Sequence, residues 1–412
     1  MSWKKLSKEE INNRVFSALD QNKNYEKENV LGIPASFLDD KVFSKDSDIL
    51  KDAPFLTSLV RNPNHIGCHT LGQSESFFAG TQEIERELID ICAMDILRSA
   101  EKCDGYVASG GTEANMQAMW IYRNYFVQEY GAKNNEIAIL CSEHAHYSMA
   151  KSANILNIQY QSVALDDNKF TWTEENVQVA LKEAKNNGAK YFIIVANMMT
   201  TMFGSVDDAK LMVSVIKANN LPFKLHIDGA YGGFYYPFSN PNNELDFSNE
   251  DVSSVTLDAH KMAQAPYGTG IFLIRKGLMQ YANTKEASYV KGEDSTVIGS
   301  RSGANAISIW MILSTYGPYA WKEKIFILQK RTEWLCDQLD QRNIAYFREP
   351  YSNIVTINAH DIDEEKAHKF GLVPDNHSKP NWFKIVVMEH VNIEKLEAFL
   401  CEVDMSQPVS CF

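Results

Sequence analysis

The stretch Leu225-His-Ile-Asp-Gly-Ala-Tyr-Gly-Gly233 reads as an apolar strand that ends on a carboxylate and leaves through small residues. A carboxylate at the carboxyl end of a strand sits where open α/β sheets hold their ligands. It suits a structural cap of the next turn equally well. Ser254-Val-Thr-Leu-Asp-Ala-His-Lys261 follows, a β-rich run closing on a lysine 33 positions after Asp228. A lone lysine is ordinarily a solvated surface residue. Beside a carboxylate and a glycine-rich turn, it can serve as an amine nucleophile toward an aldehyde. Upstream, Val107-Ala-Ser-Gly-Gly-Thr-Glu-Ala-Asn115 ends a strand, turns through two glycines and opens a helix. Gly110 and Gly111 let the backbone approach a ligand, and the free N–H groups of a helix start favour an anion. By itself a Gly-Gly turn is more often only a turn, and the spacing matches neither GxGxxG nor GxxxxGK[ST]. A largely buried Asp228 would stabilise a cationic nitrogen such as a protonated pyridine, with Gly229 and Ala230 leaving room for a flat ring.

Outward from these stretches, short apolar runs alternate with amphipathic ones. The predicted strands are 105–109, 137–142, 161–164, 191–197, 224–228, 253–257 and 271–274, with helices over 113–130, 146–156, 174–187 and 208–219. Short apolar strands separated by helices predict a mostly parallel sheet covered on both faces. A long helical stretch over 304–339, strands over 354–357 and 382–387 and a helix over 393–402 predict a small C-terminal α/β domain. The expected division is an N-terminal helical arm over 1–60, a large domain over 61–303 and a small domain over 304–412.

The net charge of −13 comes from scattered acidic residues, which disfavours nucleic acid. No apolar run is long enough for a bilayer. The N-terminus, MSWKKLSKEEINNRVF, has no apolar segment after its lysines and so does not read as a secretory signal. Seven cysteines with no CxxC pair suggest reduced thiols in a cytoplasm, and no metal site.

Taken in order, SGGTEAN, SEHAHYSMAK, HIDGAYGG, LDAHK and GSRSGA resemble the group II pyridoxal-phosphate-dependent amino-acid decarboxylases, especially the short bacterial and archaeal tyrosine/aspartate- and histidine-decarboxylase-like members. The resemblance covers roughly residues 60–320. It implies an aspartate-aminotransferase-like (fold type I) seven-stranded sheet, pyridoxal 5'-phosphate as cofactor, and a homodimer with the site near the interface. It implies that Lys261 carries the cofactor as a Schiff base, that Asp228 pairs with the ring nitrogen, and that Ala230 and His146 pack on the two ring faces. His144 is adjacent but does not match. Gly111 and Thr112 match phosphate-loop positions, His260 a further phosphate-side contact and Thr201 a threonine near the ring. Arg301 matches the arginine expected near the substrate α-carboxylate, a role its planar fork suits. Without the resemblance, His146 reads as a core or capping histidine and Arg301 as the partner of a structural carboxylate. Tyr289 is a candidate proton donor from a loop, and residues 72–85 look like a segment lining the substrate pocket.

Two departures stand out: Asp-Gly-Ala-Tyr replaces the family's Asp-Ala-Ala-Tyr, and Met199-Thr-Thr replaces its Gly-Thr-Thr. The expected reaction is decarboxylation of an L-amino acid to its amine. The alternatives are a carbon–carbon lyase, an aminotransferase, or a cofactor-binding but idle paralogue. Phe77, Phe78 and His69 are not placed well enough by sequence to choose a substrate.

Overall fold

The computed structural model describes residues 3–25, 27–32, 38–39, 41–66, 77–166, 169–283 and 294–403. Its strands are β1 (Asp104–Ala108), β2 (Ile137–Ser142), β3 (Gln159–Val163), β4 (Tyr191–Asn197), β5 (Phe223–Gly229), β6 (Val252–Asp258) and β7 (Gly270–Ile274), then β8 (Tyr346–Phe347), β9 (Ile354–Asn358), β10 (Val373–Pro374) and β11 (Trp382–Val386). The helices are α1 (Lys8–Gln21), α2 (Pro54–Arg61), α3 (Ala79–Asp90), α4 (Gly111–Tyr130), α5 (Ser148–Leu156), α6 (Glu174–Asn186), α7 (Ala209–Ala218), α8 (Tyr236–Ser239), α9 (Gly303–Gln341), α10 (Glu364–Lys369) and α11 (Ile393–Val403).

The first seven strands form one sheet in the order β1-β7-β6-β5-β4-β2-β3, with β7 antiparallel to both its neighbours and the pairs from β6 to β3 parallel. Every residue of β2 and β6 is buried, which is why β2 reads as a nearly continuous apolar run, while β6 buries Ser253, Ser254, Thr256 and Asp258 among its apolar residues. Side chains of α6, α7 and α9 pack into one core, and those of α4 and α5 into a second. The expected fold class is the one observed. The small sheet, β10-β11-β9-β8, is antiparallel and has its own core with α11.

The N-terminal segment is bound tightly to this body. Ile11, Val15, Ala18 and Leu19 are the buried face of α1, and Ser7 and Glu10 close its start as a capping box. Trp3 is buried too and donates its indole N–H to Leu313 O at 2.7 Å.

The long helix departs from expectation. α9 is broken at Gly317 (φ 63°, ψ 175°), ahead of Pro318, whose ring cannot continue the hydrogen-bond ladder. A Cβ on Gly317 would lie 2.6 Å from Lys5 N, so the bend also lets the N-terminal segment approach. Before and just after the bend α9 packs with the large sheet, through residues such as Ile309, Trp310 and Trp321. From Trp334 onward it joins the small core. The change of core thus falls inside α9, later than the expected boundary at 304.

Cys92, Cys103, Cys141 and Cys336 are free thiols. Cys401 is disulfide-bonded, where the sequence suggested reduced thiols.

Candidate active site

At the carboxyl ends of β1, β4, β5 and β6 a cavity of about 310 Å³ is lined by Gly111, Thr112, His146, Thr201, Asp228, Ala230, His260 and Lys261, among others. Eight of the residues singled out from sequence thus meet in one place, from segments up to 150 positions apart (261 − 111). Strand ends at a sheet edge are where such folds hold ligands.

Each position has a local cause. Gly110 holds φ 156° and ψ 171°, a conformation open only to glycine, and turns the chain from β1 into α4. A Cβ on Gly111 would stand 3.0 Å from Asp258 Oδ2 and 3.3 Å from Ala230 Cβ, so its absence keeps this corner open. The Gly111 N–H is taken by Asp258 Oδ2 at 3.2 Å, and the N-cap residue, Gly110, has no side chain of its own to cap α4. Asp228, 5% exposed, is the penultimate residue of β5, with Oδ1 accepting from Ala230 N–H (3.1 Å) and Oδ2 from Asn115 Nδ2 (2.9 Å). Lys261 lies in the turn after β6, not on the strand itself, with Nζ 3.8 Å from Asp258 Oδ2. Asp258 also has His260 Nδ1 at 2.7 Å from Oδ1. Burial pushes the Asp258 carboxyl up, and Lys261 and His260 pull against that shift.

His146 and His144, two positions apart, part company. His146 lines the cavity, with Nδ1 2.9 Å from Ser148 Oγ. Burial lowers its pKa, and Lys261 acts in the same direction while Asp228 opposes it. His144 stacks instead on Phe203, at 4.8 Å, in an aromatic cluster with Phe170 that meets Phe347 and Trp382 of the small sheet.

Arg301 is the residue the structure does not bring to the lining. Its guanidinium, 4% exposed, pairs with Glu85, donates to Val107 O at 3.2 Å and lies 5.0 Å from the centre of the Tyr106 ring. Glu85 is wholly buried, pairs with His65 as well and accepts from Val107 N–H at 2.7 Å. Burial alone would raise the Glu85 carboxyl; Arg301 and His65 outweigh it and hold the pKa at about 2. Among the described residues Arg301 thus pairs with a buried structural carboxylate. A carboxylate this deep needs a paired cation. Tyr289, His69 and residues 72–76 lie outside the described residues.

Three residues were missed. Asn115 closes the quoted SGGTEAN motif but was given no role, and Asn197 lines the cavity from the end of β4. Lys384 donates to Thr201 O at 2.9 Å, and burial, then the charge of Lys261, lowers its pKa. Its signal was the strand alternation: Trp382, Lys384 and Val386 share the less buried face of β11, and Trp382 and Val386 pack on the large core. Met199 has φ 72°, the left-handed region a glycine adopts freely, at the position where the family motif has Gly. The substitution keeps a conformation that suits the residue it replaced.

This donor set fits pyridoxal phosphate: an amine for its aldehyde, a buried carboxylate for its ring nitrogen and a helix start with a glycine at its N-cap for its phosphate. The model of the pyridoxal-dependent decarboxylase conserved domain matches residues 82–347. The chain belongs to the pyridoxal-dependent decarboxylase family. It is 49% identical over 403 residues to the tryptophan decarboxylase of Clostridium sporogenes, covering 97% of each chain. It is 31% identical over 333 residues to the L-aspartate decarboxylase of Thermococcus kodakarensis, covering 78% of this chain and 81% of the other. Among solved structures, L-methionine decarboxylase from Streptomyces sp. 590 superposes with a TM-score of 0.70 at 20% identity, over 83% of this chain and 86% of that one. The protein is a pyridoxal-phosphate-dependent carboxy-lyase acting on an amino acid. Among the described residues no helix is long and apolar enough to cross a membrane.

Proposed function

We propose that this decarboxylase acts on an aromatic amino acid of the tryptophan class, with Lys261, Asp228 and His146 as its central residues. The observation that carries the residue assignment is the meeting of Lys261, Asp228, Ala230, Thr112 and His146 around one cavity. The substrate class rests on the 49% identity, over nearly the whole chain, to a tryptophan decarboxylase.

Pyridoxal phosphate, when bound, supplies a protonated ring that takes up the electron pair left as carbon dioxide departs. Lys261 offers the amine that anchors an aldehyde, and its ammonium can return to Asp258, 3.8 Å away. Asp228 keeps a proton on the ring nitrogen, since a buried carboxylate favours a neighbouring cation. Gly111, Thr112 and the start of α4 would hold the phosphate, and His260 lines the same cavity. Ala230 and His146 would confine the ring, and Thr201, which also lines the cavity, would border it. His146, kept neutral by burial, can give or take a proton at its free ring nitrogen. Tyr289 stands as the proposed proton donor to the product carbon on its place in the sequence alone. Arg301 acts through stability and not through the substrate.

The proposal places the enzyme in the cytoplasm as a homodimer. Tyr147 and Tyr267, 64% and 86% exposed, stand beside His146 and His260 and offer apolar surface for a partner subunit.

Purified protein loaded with cofactor and given single amino acids, with carbon dioxide and amine both measured, tests the reading. Gas and amine from tryptophan, and far less from aspartate, are expected. Keto-acid formation without gas, or preference for an acidic substrate, would overturn it.

A further inference from the structure

Behind the Asp228 carboxylate runs a chain of polar side chains in a part of the core that could have been apolar. Tyr122, Ser254 and His226 are fully buried and Asn115 is 1% exposed. The Tyr122 hydroxyl donates to Ser254 Oγ. Ser254 Oγ meets His226 Nδ1 at 2.7 Å, and His226 Nε2 meets Asn115 Oδ1 at 2.9 Å, with Thr256 Oγ1 a longer contact at 3.3 Å. Asn115 Nδ2 then donates twice, to Asp228 Oδ2 at 2.9 Å and to Ser148 Oγ at 3.1 Å. Ser148 Oγ in turn reaches His146 Nδ1 at 2.9 Å.

Matching donors to acceptors fixes the direction of this chain. A carboxylate accepts only, so the amide must turn its NH₂ toward Asp228 and its oxygen toward His226. His226 then carries its proton on Nε2 and accepts on Nδ1 from Ser254, whose own oxygen accepts from Tyr122. Burial keeps His226 neutral, lowering its pKa to about 4. Every donor points toward Asp228 and no net charge is added along the way. The second N–H of the same amide runs through Ser148 to His146.

We propose that Asn115 is a positioning residue which fixes the Asp228 carboxylate and the His146 ring together, with His226 holding the amide in the required orientation. The proposal rests on the assignment of Asp228 to the cofactor's ring nitrogen. Donors on Asp228 Oδ2 stabilise its charge and so leave the shared proton on the ring nitrogen. Without them Asp228 is the stronger base, the proton moves to the carboxylate, and the ring loses positive charge. The cofactor is then held more weakly. The visible band of cofactor bound at Lys261 titrates at higher pH, because a positive ring no longer opposes a second positive charge near it.

The test uses the full-length protein and two readouts that need no turnover: cofactor affinity by absorbance titration, and the pH midpoint of the visible band. Asn115→Ala is expected to weaken cofactor binding roughly tenfold, about the size of one hydrogen bond to a charged group, and to move the midpoint upward. His226→Leu should shift both in the same direction by less. His226→Gln, whose amide can donate to Asn115 and accept from Ser254, should return both toward the parent values. A purely structural role would lower the melting temperature and leave the midpoint in place. Asp228→Ala, measured alongside, separates the two layers. If it loses the cofactor while Asn115→Ala binds within twofold at an unchanged midpoint, the positioning role is wrong and the Asp228 assignment survives. If Asp228→Ala binds as the parent does, the assignment beneath fails. Should Asn115→Ala not fold, identical midpoints for His226→Leu and His226→Gln overturn the proposal.

Discussion

Around Lys261 the charged groups stand at an open cavity, and the lysine side chain itself is 33% exposed. Behind β1, Glu85, His65 and Arg301 form an equally charged group with exposures of 0, 0 and 4%. The first arrangement leaves an amine and carboxylates available to a ligand. The second spends its charges on one another and ties α3, β1 and the start of α9 together: His65 N–H also donates to Arg301 O at 2.9 Å, and Gly303 N–H to Pro63 O at 2.9 Å. Nothing in the residue types distinguishes the two regions. What distinguishes them is whether a charge already has a buried partner, and that decides between chemistry and stability.

Substitutions can break this contrast. Lys261→Ala should cut decarboxylation by at least roughly 10³-fold with little change in melting temperature, checked by amine formation and calorimetry. Arg301→Ala should do the reverse, costing about 3–5 kcal/mol of stability by stranding Glu85. The fraction still folded should keep its KM, and Glu85→Gln combined with Arg301→Met should recover much of the loss. An unchanged stability with a greatly raised KM would return Arg301 to the substrate site.

Acid sharpens the comparison. The Glu85 pKa lies near 2 in the folded protein, below the ordinary 4.5. Its stabilisation is therefore complete above pH 4.5 and is lost as pH falls toward 2, by roughly 3 kcal/mol at most. Asp207, which accepts from the Asn197 backbone and side chain at the cavity edge, is shifted the other way, to about 7, by burial that those bonds do not offset. A raised carboxyl favours the fold most below its ordinary 3.8, and that contribution fades as pH rises through 7. Asp207→Asn should flatten the stability profile between pH 4 and 7, while Glu85→Gln flattens it below 4.5, both read from denaturant unfolding. The smallest effect belongs to Lys384→Met, which removes a partly screened charge near Lys261 and should raise KM roughly threefold, less at high salt.

Much of the cavity was legible because strand ends and the turns after them are local. Asp228, Lys261 and Gly111 each close or follow an apolar run, and a parallel sheet brings such ends to one edge. The pairing of Arg301 with Glu85 was not legible because its partner lies 216 positions away and no local pattern marks Glu85 as buried. Asn115 stood in plain view within SGGTEAN, but its role needs the register of β5 and β6, which sets His226 beside Ser254. Lys384 comes from the small sheet, whose docking on the large one is not written in either sequence segment. Packing of separate elements, not the elements themselves, was what the sequence withheld.

The central claim is that Lys261 is the amine that captures the cofactor. Protein incubated with pyridoxal phosphate, reduced with borohydride and digested can be read by peptide mass spectrometry. The account predicts one reduced pyridoxyl-phosphate group, on the peptide holding Leu257-Asp-Ala-His-Lys261. A stoichiometric label on another lysine, Lys384 included, or no label at all in protein that binds the cofactor, would contradict it.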